Sequence, residues 1–371
     1  MKFACKITKS RLLLTAGLLA ALLRLSAAAD AQVSKTAWQT EWEKVQEEAK
    51  KEGNISLWGP PGAWARNVLV DEFHKKFPHV KVEYQGALSA AAWPKIQAER
   101  QAGFFTIDIL VGGLGATALY KAKAQQPLES AFILPEIKDK KAWWQGKFHF
   151  ADPEDKFIFI FSVGTIPAIA YNTQHLDPKD LKSYKDLLDP RWKGKIVMFD
   201  PRVAGSGNAR WHFFVEALGK DYVEKLAKQV VLSRDFRQAA EWIATGKYPI
   251  GVGVSYAHVE EFIKKGAPVS QISHLAEGNY LTSGWGTVSL LDRAPHPNAS
   301  RLYINWLLSK AGQLAWQKTG YNSARVDIPK EGVDPMNRIV DGVKYYEQFS
   351  EAASIKRDEV SNQLAREIFK D

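Results

Sequence analysis

Between Ile196 and Trp211 the sequence IVMFDPRVAGSGNARW sets a short apolar run, a turn and a helix start in immediate succession. Ile196 to Phe199 has the length and character of a buried strand. Asp200-Pro201-Arg202 breaks it, and Ala204-Gly205-Ser206-Gly207-Asn208 leads into helical periodicity at Trp211, Phe214, Val215 and Leu218. A helix opening beside Ser206 and Gly207 offers its first backbone N–H groups to an anion. Arg202 adds a guanidinium that can grip a carboxylate or phosphate with paired hydrogen bonds, unless Asp200 holds it as a structural clasp. Ser206 near His212 is the only arrangement suggesting a secreted serine hydrolase. The segment lacks the first glycine of Gly-x-Ser-x-Gly, and nothing marks an acid to orient His212. No His-Glu-x-x-His pair or comparable metal spacing occurs. The residues therefore point to binding, not catalysis, with no cofactor and no metal.

The elements that must hold such a cradle follow from the rest of the chain. After an amphipathic start, Trp38 to Lys51, short apolar runs alternate with helical patterns: Ile55–Trp58, Val68–Phe77, Val80–Tyr84, Ala91–Ala102 and Ile107–Val111. That order predicts an α/β fold of mainly parallel sheet with covering helices. Phe157–Phe161 followed by Ile166–Tyr171, and later Gly284–Leu291, are extended runs without an adjacent pattern of equal length; they read as strands crossing between two lobes. At 371 residues and 46% apolar composition, the chain can fill two cores.

Lys2, Lys6, Lys9 and Arg11 precede an apolar run from Leu12 to Leu23, and Ala27, Ala28, Ala29 and Ala31 follow. This pattern is that of a cleavable secretory signal, residues 1–31, and the apolar run falls short of the roughly 20 residues that span a bilayer. The single cysteine, Cys5, leaves with it, so neither a disulfide nor a thiolate metal site is expected. Removing this segment takes away five basic residues and one acidic residue and lowers the formal net charge from +9 to +5. The remaining basic residues are interspersed with acidic ones, which argues against nucleic acid as a partner.

Tyr171-Asn172-Thr173 and Asp189-Pro190-Arg191-Trp192-Lys193-Gly194-Lys195, just ahead of the cradle, carry a resemblance to the periplasmic solute-binding proteins of bacterial ABC importers, in the extracellular solute-binding group that includes the ferric-iron binders. His296-Pro297-Asn298-Ala299, opening a helix, resembles that family's returning helix. The resemblance implies a type II periplasmic-binding-protein fold in which each lobe is a mainly parallel sheet flanked by helices and two crossing strands join the lobes. Lobe one is then expected at 32–162 plus 285–371 and lobe two at 163–284. It also implies a periplasmic location, a small-molecule ligand held between the lobes, delivery to a membrane permease, and a monomer.

Open sheets of this kind bind ligands beyond the carboxyl ends of their strands, which nominates four loops. The first, after Trp58, carries Trp64 and Arg66; the second is Gly112-Gly113-Leu114-Gly115; the third holds Asp200, Arg202, Ser206 and Gly207; the fourth is Ser255-Tyr256-Ala257-His258. By resemblance, Tyr256 stands where ferric binders carry metal-ligating tyrosines, and Trp285 and Tyr321 occupy cleft-facing places. Trp58, Trp64 and Trp285 could sandwich a flat organic ligand or close over a cation. The related iron binders usually show adjacent tyrosines where this chain has Tyr256-Ala257, and its one adjacent pair, Tyr345-Tyr346, falls in a stretch that reads as helical. An organic or phosphorylated anion held by backbone amides, Arg66, Arg202 and Arg325 is therefore preferred, with a ferric-iron binder as the alternative.

Overall fold

The computed structural model describes residues 35–87, 89–112, 117–203 and 205–370; the expected signal segment and Gly113 lie outside them. Residues 1–43 and 44–371 are separate units, and everything below concerns the second. Among the described residues thirteen strands follow in chain order: β1 (Asn54–Gly59), β2 (Lys81–Gly86), β3 (Ile109–Val111), β4 (Gln125–Gln126), β5 (Phe159–Ile160), β6 (Ile169–Asn172), β7 (Ile196–Phe199), β8 (Val230–Ser233), β9 (Ile250–Val252), β10 (Val269–Ile272), β11 (Asn279–Leu281), β12 (Thr287–Leu291) and β13 (Tyr345–Glu347). They form two main sheets and a two-stranded one.

The first sheet has the order β2-β1-β3-β12-β4, with β5 also on β12. β1 runs parallel to β2 and β3, whereas β12 is antiparallel to its neighbours. The second has the order β10-β6-β9-β7-β8, with β7 parallel to β8 and β9, and β6 antiparallel to β9 and β10. The strands within the alternating strand and helix units are thus parallel, and those supplied by the crossings run against them. All four residues of β7 are buried, as expected of a strand covered on both faces. This is the fold class the sequence implied: two helix-flanked sheets, each with its own core.

The expected crossings are present. Phe161 N–H donates to Gly286 O at 2.9 Å, and Gly164 and Thr282 exchange backbone hydrogen bonds of 3.0 and 2.9 Å. Gly286 is needed for this contact, because a Cβ there would stand 1.9 Å from that of Ser162. A third segment joins them, with Ser162 Oγ donating to Asn322 O at 2.6 Å and Asn322 Nδ2 donating to Val163 O at 2.7 Å.

Two expectations are corrected. Tyr345-Tyr346 is not helical; both lie in β13, parallel to β11, so the pairing with Asn279 and Tyr280 overrides local pattern. Nor does the C-terminus stay with the first sheet. Leu364 and Ala365 belong to the second core with Trp211, Phe213 and Phe214, Trp211 Nε1 donates to Ser361 O at 3.0 Å, and His212 Nδ1 lies 2.7 Å from Ser361 Oγ. Helix 206–218 carries an apolar face that the second sheet alone leaves uncovered, and the last helical run, 351–368, covers it.

Candidate functional site

β7 delivers the chain to Asp200 at its carboxyl end. Asp200 is 1% exposed, and its oxygens accept Arg202 Nε at 3.0 Å, Arg202 Nη2 at 2.9 Å, Arg234 Nε at 2.8 Å and the Arg202 backbone N–H at 2.9 Å. Burial pushes this carboxyl up, but the hydrogen bonds from Arg202 and Arg234 outweigh it and hold it down at about 2. Arg202 Nη1 also donates to Phe369 O at 2.6 Å. Of the two roles open in the sequence, the clasp is the one built: Asp200 and Arg202 shape the turn that presents the helix.

Helix Ser206–Leu218 begins at Gly205 without a side-chain cap. Its start is seated by close backbone packing. A Cβ on Gly207 would meet Phe199 O at 2.3 Å, and one on Gly253 would come within 2.7 Å of Gly207 Cα; Ser206 Oγ donates to Gly253 O. The Gly253 turn leads into helix Tyr256–Lys264, whose Ser255 and His258 form a capping box. The start of helix Ser206–Leu218 is therefore packed against the turn that leads into helix Tyr256–Lys264.

Beneath them lies a ring stack. Phe199 and Phe236 are parallel at 3.5 Å, and His258 stacks on Phe236 at 3.8 Å. Burial pulls the His258 imidazole down to about 4, so it is neutral at pH 7. Its Nδ1 receives the Ser255 N–H at 3.1 Å, which leaves the ring proton on Nε2.

Against the first sheet the structure brings together Trp64, Tyr321 and Trp285. Trp64 packs on Tyr321 at 5.7 Å and edge-on to Trp316 at 6.3 Å. Burial raises the Tyr321 phenol to about 12, partly offset by a hydrogen bond with Trp285. Trp58, the penultimate residue of β1, is almost fully buried, with Lys95 Nζ 5.3 Å above its ring. Tyr84 donates to Pro60 O and fixes the loop ahead of Trp64. Arg66 is exposed and close enough to Tyr84 to favour its phenolate, although burial dominates and raises that phenol.

Arg325 is not part of this assembly. It is 0% exposed, with Nε and Nη2 on Asp327 at 2.9 and 2.8 Å and Nη1 on Leu308 O at 3.1 Å. The expected ligand donor is a core anchor. The Ser206 and His212 pairing fails too, since each is turned to a different partner, Gly253 and Ser361. A surface recess of about 470 Å³ along Tyr171–Pro178 is lined by none of the candidates. Sequence reasoning missed Arg234, Phe236 and the C-terminal cover. An aromatic opening the helix that follows β8 was the one available sign for Phe236.

Two helix-flanked sheets joined by crossing strands, with helix starts and glycine turns gathered at strand ends, define a two-lobed solute-binding architecture. Residues 63–322 match the bacterial extracellular solute-binding proteins, and the chain belongs to that family. An uncharacterized protein of Haemophilus influenzae is 26% identical over 271 residues, spanning 68% of this chain and 74% of that one. Among solved structures, the periplasmic binding protein AfuA from Actinobacillus pleuropneumoniae, with fructose-6-phosphate bound, superposes with TM-score 0.63 at 20% identity, covering 86% of this chain and 100% of that one. The IdiA (FutA) protein of Trichodesmium, in complex with iron and citrate, gives 0.65 at 17%, covering 86% and 100%. Iron-bound HitA from Pseudomonas aeruginosa gives 0.63 at 18%, covering 85% and 99%. At these identities the likeness establishes the fold.

Proposed function

We propose that this chain is the periplasmic binding component of an ABC importer, capturing a small organic or phosphorylated anion between its lobes and delivering it to a membrane permease. It acts as a monomer, exported through cleavage of residues 1–31. Lobe one comprises 32–162 and the return from 285, lobe two comprises 163–284, and the C-terminal run is assigned to lobe two by its packing.

The observation that carries the reading is the packing of the Ser206 helix start against the Gly253 turn that opens the Tyr256 helix. Backbone amides and dipoles at helix starts favour negative charge. Ser206, Gly207 and the Tyr256 helix supply the second-lobe face, with Asp200 and Arg202 holding its shape. Trp58, Trp64, Arg66, Trp285 and Tyr321 supply the opposing face. Arg66 is the arginine left for the ligand once Arg325 is assigned to the core. The fructose-6-phosphate bound to AfuA is an anion of this class.

The test is a thermal-shift screen of the purified mature protein against sugar phosphates, phosphonates, carboxylates, polyamines, thiamine and ferric salts. A midpoint rise with phosphorylated or carboxylate compounds alone is expected, by mass action on the folded state. A rise with polyamines alone, or a coloured tyrosinate complex with ferric salt, would overturn it.

A further inference from the structure

Arg210 is a buried guanidinium, 0% exposed, and no carboxylate stands among its hydrogen-bond partners in the described residues. Its Nη1 donates to Tyr184 Oη and Asn279 Oδ1, both at 2.8 Å, and its Nη2 donates to the carbonyls of Ile166 at 3.1 Å and Pro167 at 3.0 Å. The rings of Tyr280, Phe213 and Tyr184 surround it at 4.6, 5.3 and 5.7 Å. Its Nε has no acceptor. Removing a cation from water without a counter-ion is costly, and an apolar side chain would fill the same space more cheaply. What the guanidinium adds is its set of fixed directions.

Those directions join three parts of the molecule. Arg210 sits one turn into helix Ser206–Leu218, whose start faces the candidate site. Ile166 and Pro167 belong to the first crossing, and Asn279 opens the strand that leads into the second. Asn279 Nδ2 in turn donates to Ile166 O at 2.8 Å and Ser273 O at 2.7 Å, so both crossings are tied at the same level. Beyond that level the crossings meet through backbone hydrogen bonds, at Gly164 with Thr282 and at Phe161 and Ser162 with Gly286, and then continue into the β5–β12 pairing.

We propose that Arg210 is a positioning residue that pins both crossing segments to the helix carrying the solute-binding N-terminus, so that the lobes pivot at 163–165 and 282–286. The proposal deepens the binding reading by naming the element that joins the site to the hinge. Rotation about the pivot then moves the Ser206 amides as a rigid part of lobe two. A lysine cannot replace the fork, since one ammonium cannot reach four acceptors on three elements.

The test needs no solute, so its outcome is independent of whether the anion reading holds. On the mature chain, which carries no cysteine once residues 1–31 are removed, the exposed Lys76→Cys, in helix Phe73–Lys76, and Lys228→Cys, just past helix Lys220–Ala227, one in each lobe, take a donor and acceptor dye for single-molecule energy transfer. Arg210→Met and the milder Tyr184→Phe are compared with Leu226→Ala, a second-core substitution outside the hydrogen-bond set of Arg210, each with its thermal midpoint measured. The expected result is a broader interlobe distance distribution for Arg210→Met and a smaller change in the same direction for Tyr184→Phe, while Leu226→Ala lowers the midpoint without widening the distribution. Should Arg210→Met not fold, the Tyr184→Phe comparison decides. Distributions that match the parent chain, or that widen equally for Leu226→Ala, would overturn the proposal.

Discussion

Arg202 folds back over Asp200, two residues earlier, and places Nε and Nη2 at 3.0 and 2.9 Å from its two carboxylate oxygens, while Arg234 closes the same carboxylate from another strand end. The turn ahead of the candidate site is therefore braced by charge that is spent internally.

Asp200→Asn should lose a pH-dependent share of stability. The folded carboxyl is held at about 2, below its ordinary value, so its contribution is present above about pH 4 and fades as pH falls toward 2. Nearly two pH units correspond to about 2 kcal/mol. Urea titrations at pH 7 and pH 3 check it: the variant should show the smaller loss between the two.

His258 works in a higher window. Its folded value of about 4 lies below that of the unfolded imidazole, so the unfolded chain binds the proton first and stability drains as pH falls from about 6.5 to 4. The full effect is on the order of 3 kcal/mol. His258→Phe keeps the stack on Phe236 and should flatten that slope in denaturation curves between pH 7 and pH 4.5. An unchanged slope would mean that His258 is not held neutral by burial.

Gly207→Ala should cost about 1–3 kcal/mol through overpacking against Phe199 O, and should reduce any anion-induced midpoint rise by displacing the helix start. A variant with parental stability and parental midpoint rise would contradict the seating described for this helix.

Arg66→Ala is the surface counterpart. As an exposed change it should leave the unliganded protein within about 0.5 kcal/mol of the parent while weakening capture of a phosphorylated probe, read by calorimetry. Equal affinity in parent and variant would take Arg66 out of the site.

Much of the second lobe was legible because its signals are local. Ile196 to Phe199 is apolar throughout since both faces of β7 are covered, and Gly205 to Gly207 announces a helix that must approach a strand end closely. Arg325 was misread by residue type alone, although Asp327 two places on was a visible partner. β13 was illegible for a different reason: its partner Asn279–Leu281 is remote in sequence, and periodicity over a few residues carries no record of such pairing. Nothing in the sequence marks Arg210, and only the convergence of Ile166, Pro167, Tyr184 and Asn279 around it gives it meaning.

The final helical run that lies over Trp211 and Phe214 makes the middle of the polypeptide dependent on its end. A fragment cut out as residues 163–284 would leave those aromatics bare to water, and it should aggregate unless 345–370 is supplied on a separate peptide. During synthesis the same half must wait, unfinished, until the ribosome has released the tail.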